Sequence, residues 1–132
     1  MWRRARDGYV HPLQYEGFGM TILEAMACGL PVIATAWSGP ADFLSPEWAY
    51  TLRHSAPRPE KAQDGAIFRY YVEPELDHLV DLMRLAYERE DESKALGQRA
   101  SDIARSKWTW QHAAGRLASL FSLTPQSETA MR

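Results

Sequence analysis

The chain has 132 residues, 45% of them hydrophobic and 24% charged, the proportions of one ordinary globular domain. Its 15 Lys and Arg against 17 Asp and Glu leave a formal net charge of -2, which excludes a dedicated nucleic-acid binder living on many phosphate contacts. One cysteine excludes a disulfide framework and a Cys-rich zinc site, and it fits a reducing cytoplasm. The most apolar window, Ile22 to Trp37, contains Glu24, Gly29 and Pro31 and falls short of the roughly 20 clean apolar residues of a membrane span. The N-terminus carries Arg3, Arg4 and Arg6 but lacks the apolar run of a signal peptide.

In chain order, Tyr9-Val10-His11-Pro12 reads as a short strand stopped by its proline. The turn Gln14 to Gly19 follows. Ile22, Leu23, Met26, Ala27 and Leu30 then recur at helical spacing, with Gly29 as the stop. Pro31 to Ala36 is a continuous apolar and β-branched run, the pattern of a strand buried on both faces. Strand, helix and strand make a βαβ unit with a right-handed crossover. Trp37 to Asp42 is a turn-rich loop, Ala49 to Arg53 a short strand, Ser55 to Gly65 an exposed loop with two prolines, and Ile67 to Val72 a further strand.

Three helices are expected to close the chain. The first has Pro74 at its opening position, Glu75 and Asp77 in its first turn, and a stripe of Leu76, Leu79, Val80, Met83 and Tyr87. Ser93 is expected to cap the second, which carries Leu96, Ala100 and Ile103. Thr109 is expected to cap the third, with Trp110, Ala113, Ala114, Leu117 and Phe121 as its buried face. The fold class is α/β, an incomplete doubly wound, Rossmann-like parallel sheet with three C-terminal helices. Residues 1–124 form the domain and residues 125–132 a flexible tail.

The segment Glu16-Gly17-Phe18-Gly19-Met20-Thr21-Ile22-Leu23-Glu24-Ala25-Met26-Ala27-Cys28-Gly29-Leu30-Pro31-Val32-Ile33 carries the chemistry. Gly17 and Gly19 bracket a strand-to-helix turn, where glycine lets backbone N–H groups approach a ligand. The helix start adds unpaired N–H groups and the positive end of the dipole, a seat for phosphate. In open α/β sheets, ligands bind beyond the carboxyl ends of the strands. Glu24, one turn inside the helix, suits a pair of neighbouring hydroxyls such as a ribose diol, and Glu16 suits sugar hydroxyls on the open side of the turn. A Gly-rich loop before a helix with an acidic first turn is the competing reading of these residues alone.

The Glu pair with Gly-Phe-Gly between, followed by Glu-Ala-Met-Ala-Cys-Gly-Leu-Pro-Val-Ile, closely resembles retaining glycosyltransferases of the GT-B fold, specifically the glycosyltransferase family 4 group. Trp37 to Leu44, Pro74 to Leu79 and Trp108-Thr109-Trp110 also resemble segments of that family, so the likeness covers most of the chain. The resemblance implies the donor-binding, C-terminal half of a GT-B enzyme that transfers a hexose from a nucleoside diphosphate sugar to an acceptor hydroxyl. It places Glu24 on the donor ribose and Glu16 at the catalytic centre, contacting the donor sugar without acting as a nucleophile. Gly17 and the backbone of Phe18, Gly19 and Met20 would meet the sugar or diphosphate, with a hydroxyl contact from Thr21 and an approach by Ser38 and Gly39. It implies no metal and no cofactor beyond the donor, and a sugar, lipid-linked or protein acceptor. The partner structure is an N-terminal GT-B domain. Location is expected to be cytoplasmic, with peripheral membrane association of a full-length enzyme open.

The family's basic diphosphate-binding pair has no counterpart in residues 1–15, and Arg3, Arg4 and Arg6 stand too close to the first strand to take that role. The chain alone is therefore expected to be inactive, with a non-catalytic or partner-dependent nucleotide-sugar module as the alternative. His11, His54, His78 and His112 read as locally hydrogen-bonded, and Cys28 as a buried, inert thiol.

Overall fold

A computed structural model describes residues 8–121. The tail at 125–132 and the arginines at 3, 4 and 6 lie outside the described residues.

The first strand, β1 (Tyr9–His11), leads through the glycine turn into helix α1 (Met20–Ala27) and back to strand β2 (Val32–Thr35). β1 and β2 are parallel, with Tyr9 opposite Val32 and His11 opposite Ala34. β3 (Tyr50–Leu52) adds to the other side of β2, also parallel, giving the order β1-β2-β3. The expected βαβ unit is present, and all four residues of β2 are buried, as its uninterrupted apolar run requires.

α1 stops where the sequence places the stop. Gly29 adopts φ +75°, and the Leu30 N–H reaches back to the Ala25 carbonyl at 3.1 Å, which satisfies an end carbonyl that the helix leaves open. Ile22, Leu23, Ala25 and Met26 turn inward against Val32 and Ala34 of β2. A long helix, α3 (Glu90–Lys107), closes that layer through Ala100 and Ala104. Its Gly97 lies so close to the turn after α1 that an added Cβ would stand 2.3 Å from the Gly29 carbonyl oxygen. Ser101 and Arg105 of α3 both donate to the Ala27 carbonyl, at 3.0 and 2.9 Å, capping α1 from a neighbouring helix.

Four expectations are corrected. Residues 55–65 are not wholly loop: β4 (Arg58–Lys61) pairs antiparallel with β5 (Ile67–Tyr71) as a separate two-stranded ribbon. An isolated ribbon has edges on both sides, so Pro59 is tolerated there, and Gly65 at φ +83° with the Asp64 carboxylate accepting from Ala66 N–H closes the turn. Pro74 does not open a helix. It bridges to His54 in extended backbone, and α2 (Leu76–Glu88) begins after Glu75.

Ser93 is not a cap either. Glu90, Asp91 and Glu92 occupy the first turn of α3, where acidic side chains meet the positive end of the dipole. Ser93 is thereby drawn inside the helix, buried, with its hydroxyl donating to the Ala86 carbonyl at 3.1 Å and meeting Tyr50 Oη at 2.8 Å.

The last correction concerns apolar stripes. In α2, Leu76, Val80, Met83 and Tyr87 are exposed, while Leu79, Leu82, Leu85 and Ala86 are half-buried, so the packed stripe is rotated from the expected one. In α4 (Trp110–Leu120) no residue is buried, and Trp110 is 81% exposed. Helical periodicity marks an apolar face but not what covers it.

Thr109 does cap α4, its hydroxyl oxygen accepting from His112 N–H at 3.4 Å. Because α4 buries nothing, Thr109→Ala is expected to lower helicity within α4 by about 1 kcal/mol of local stability while leaving the main unfolding midpoint in place. Amide exchange at residues 110–120 checks this.

Candidate functional site

Two loops leave the carboxyl ends of β1 and β2 on the same side of the sheet and touch. The first is Glu16–Gly19. The second is Ser38–Gly39, opening a single 3₁₀ turn at Gly39–Asp42. The Gly39 N–H donates to the Glu16 carbonyl at 3.2 Å. A Cβ on Gly39 would stand 2.2 Å from the Gly17 carbonyl oxygen and 2.6 Å from Phe18 Cα. Gly39 is thus glycine because another backbone passes where a side chain would be. Ser38 is the one non-glycine with positive φ among the described residues, at φ 58° and ψ -137°. Strained backbone of this kind persists where its surroundings hold it and is common at functional sites.

Gly19 starts α1 at φ +92°, and an added Cβ would meet Pro40 at 2.9 Å and Phe43 at 3.3 Å. Its carbonyl accepts from both Ile22 and Leu23 N–H at 3.1 Å. No side chain caps this end, and no acidic residue occupies its first turn. Among the described residues, the N–H groups of Phe18, Gly19, Met20 and Thr21 have no hydrogen-bond partner. The arrangement is a row of free donors at the positive end of a dipole, the ordinary chemistry of anion binding. The Phe18 ring is turned away, packed on Phe43 and Trp108 at 5.6 and 6.0 Å between centroids. That anchor holds the turn in place on one edge of the ring while leaving Phe18 partly exposed.

Glu24 lies on the exposed stripe of α1 with Thr21, Met20 and Cys28. Neither Glu24 nor the half-buried Glu16 makes an ion pair or side-chain hydrogen bond among the described residues. A carboxylate with all its lone pairs free can accept from two adjacent hydroxyls. Thr21 is less free: its hydroxyl oxygen accepts from Tyr9 Oη at 2.9 Å, keeping its own hydrogen for another acceptor. Tyr9 Oη also meets His11 Nδ1 at 3.2 Å. With the single Tyr9 hydrogen given to Thr21, the His11 contact requires a proton on Nδ1.

All of the site residues read from the sequence therefore gather at one end of the sheet: Glu16, Gly17, Phe18, Gly19, Met20, Thr21, Ser38 and Gly39 around the turn, with Glu24 one helical turn on. Sequence reasoning missed Tyr9 as the partner of Thr21. It also missed Lys107, His112 and Arg116, which line a groove of about 350 Å³ with Phe18, Met20 and Trp108. Their only local signal is a basic residue on either side of a Trp-Thr-Trp segment. The buried end of β2 carries Thr35 Oγ1, and Trp37 Nε1 lies just beyond it, both without a hydrogen-bond partner. Such groups are ordinarily met by water or ligand.

The remaining candidates separate cleanly. His11, His54, His78 and His112 each have a local partner: Tyr9, the Ser55 carbonyl, the Arg53 N–H and Thr109. Cys28 is exposed, not buried as expected, because it caps α1 on its solvent stripe. Among the described residues no group of three or more His, Cys, Asp or Glu is placed to hold a metal, and no helix is long and apolar enough to cross a membrane.

The family model described as "Glycosyl transferases group 1" matches residues 3–102. Sucrose synthase from Solanum tuberosum is 30% identical over 116 residues, covering 87% of this chain and 12% of that protein. Sucrose synthase from Nitrosomonas europaea is 28% identical over 120 residues, covering 87% of this chain and 13% of that protein. Sucrose synthase 2 from Hordeum vulgare is 51% identical over 39 residues, 30% of this chain and 5% of that protein. The chain spans about an eighth of the length of the curated relatives that it matches along most of its own. With a small parallel sheet, C-terminal helices and a match over most of its length, this chain belongs to the glycosyl transferases group 1 family, and its fold is part of a Rossmann-like GT-B domain.

Proposed function

We propose that this chain is the donor-binding part of a retaining glycosyltransferase of the family 4 group, acting on a nucleoside diphosphate sugar. The observation that carries the reading is the row of N–H groups at Phe18 to Thr21, flanked by two carboxylates, all without a hydrogen-bond or ion-pair partner among the described residues. The N–H groups take the diphosphate, Glu24 takes the two ribose hydroxyls, and Glu16 takes hydroxyls of the transferred hexose. Ser38 and Gly39 brace the turn and stand close enough to reach the donor.

In this reading no side chain is a nucleophile. The acceptor hydroxyl attacks the anomeric carbon on the face from which the nucleotide leaves, and its proton passes to the departing phosphate oxygen. The anomeric carbon–oxygen bond to the diphosphate breaks as the new glycosidic bond forms. Rate then comes from positioning and from stabilising charge on the leaving diphosphate. The free N–H groups supply part of that stabilisation. Basic side chains and the remainder of the acceptor site from an N-terminal domain supply the rest in a complete enzyme, so this chain alone binds donor without turnover. No resident cofactor enters the scheme, and the acceptor is a sugar, lipid-linked or protein hydroxyl. The sucrose synthase relatives make a small saccharide the first acceptor to try.

Two experiments test the reading. Nucleotide release from UDP-, GDP- or ADP-linked hexose, with saccharide present, is expected to stay at background for the chain alone; clear turnover would contradict the half-site. Glu16→Gln is expected to weaken nucleotide-sugar binding by about tenfold and leave free nucleotide binding unchanged. Equal losses for both ligands would move Glu16 off the sugar.

A further inference from the structure

We propose that the polar cleft between the β4–β5 ribbon and the loop after β1 is a saccharide-binding subsite. It is an open cleft of about 730 Å³ lined by Gln14, Tyr15, Glu60, Arg69, Tyr71 and Glu73, within the size range of small-ligand sites. The cleft joins two separate pieces of chain. The Val72 N–H donates to the Gln14 carbonyl at 3.1 Å, which ties the ribbon to the loop. Arg69 and Tyr71, two apart on β5, share one side of the ribbon. The Arg69 guanidinium donates to the Glu60 carboxylate of the paired strand and lies 5.2 Å from the centre of the Tyr15 ring. Glu73 is held by Arg58 at 3.1 Å.

The chemistry of the lining selects the class of ligand. With Arg58 paired to Glu73 and Arg69 to Glu60, two guanidiniums and two carboxylates leave the cleft without the net positive charge that phosphate needs. The carboxylates are already engaged by arginines, and no metal-holding cluster exists among the described residues. What remains is a wall rich in both donors and acceptors. The spare carboxylate lone pairs accept from hydroxyls, and the remaining guanidinium N–H groups and the Gln14 amide donate to ring and hydroxyl oxygens. The Tyr15 and Tyr71 rings offer apolar edges beside them. Neutral polyhydroxyl compounds need this mixture. Tyr15 immediately precedes Glu16, so the cleft adjoins the turn assigned above to the donor sugar. A saccharide held there is the acceptor, a role that rests on the donor reading; the binding itself does not.

The test is an amide-shift NMR titration of the 132-residue chain with sucrose, maltose and methyl α-D-mannopyranoside, run beside a titration with UDP and GDP. At least one saccharide is expected to shift the amides of Tyr15, Arg69 and Tyr71 saturably, with a dissociation constant on the order of 1 mM. Arg69→Met is expected to weaken it about tenfold. Tyr70→Ser, on the other side of the ribbon, is expected to leave it unchanged. Retained β4–β5 cross-strand contacts in the spectra show that both variants keep the ribbon. Absence of any saccharide-dependent shift, or full affinity in Arg69→Met, overturns the subsite. Nucleotide shifts confined to residues 17–21 alongside saccharide silence would overturn the subsite alone. Saccharide shifts without nucleotide shifts would uphold the subsite and overturn the donor reading.

Discussion

Glu24→Ala is expected to reduce nucleotide affinity by on the order of 100-fold, the loss of two hydrogen bonds to a charged acceptor. The carboxylate is exposed on α1 and has no partner among the described residues, so its removal leaves no buried group there unsatisfied. Alanine is also the better helix former. The folded state should be unchanged or slightly more stable, which makes the loss attributable to the ligand. Titration calorimetry with UDP and GDP, together with a thermal melt, separates the two effects. An affinity within about threefold of the parent would remove Glu24 from the ribose.

Gly39→Ala is expected to damage both the fold and the site. The new Cβ would stand 2.2 Å from the Gly17 carbonyl oxygen and 2.6 Å from the Gly17 carbonyl carbon. These are backbone atoms, so no rotamer change relieves the clash, and the two loops must part. Overpacking of this kind costs about 1–3 kcal/mol, which for a domain of this size lowers the melting temperature by roughly 4–8 °C per kcal/mol. Parting the loops also breaks the Gly39-to-Glu16 hydrogen bond and moves the unpaired donors of Phe18 to Met20. Nucleotide binding should fall by at least about tenfold even where the chain remains folded. An alanine variant with parental stability and affinity would show that the loops are not in contact. Gly17, where nothing lies within 4 Å of an added Cβ, is the matched control for stability.

Much of the site was legible because its signals are local. Glycine at the helix start, a continuous β-branched run after Gly29 and two glutamates around one turn all act within a few residues. Backbone sterics and helix geometry then decide the outcome. The meeting of Gly39 with Gly17 was only partly legible: the two loops follow parallel strands, so they share a sheet end, but the distance between them depends on tertiary packing. The misread elements share another cause. Ser93 has the propensity of a cap, yet Glu90 to Glu92 start the helix ahead of it. The ribbon at 58–71 carries a proline at 59 and few alternating residues, and only the partner strand reveals it. The stripes of α2 and α4 are real periodicities whose covering surface lies outside the sequence pattern. Apolar neighbours in sequence suggest burial for Cys28, whereas its rotation on α1 decides its exposure.

The central claim is that the turn at residues 16–21 is a nucleotide-sugar donor site. Its most direct test is an amide-shift NMR titration of the chain and of Glu24→Ala with UDP and GDP. The account predicts saturable shifts in one of them, concentrated at Gly17 to Thr21 and at Ser38 and Gly39, and their loss in the variant. Shifts spread elsewhere, shifts unaltered by Glu24→Ala, or none with either nucleotide would contradict it.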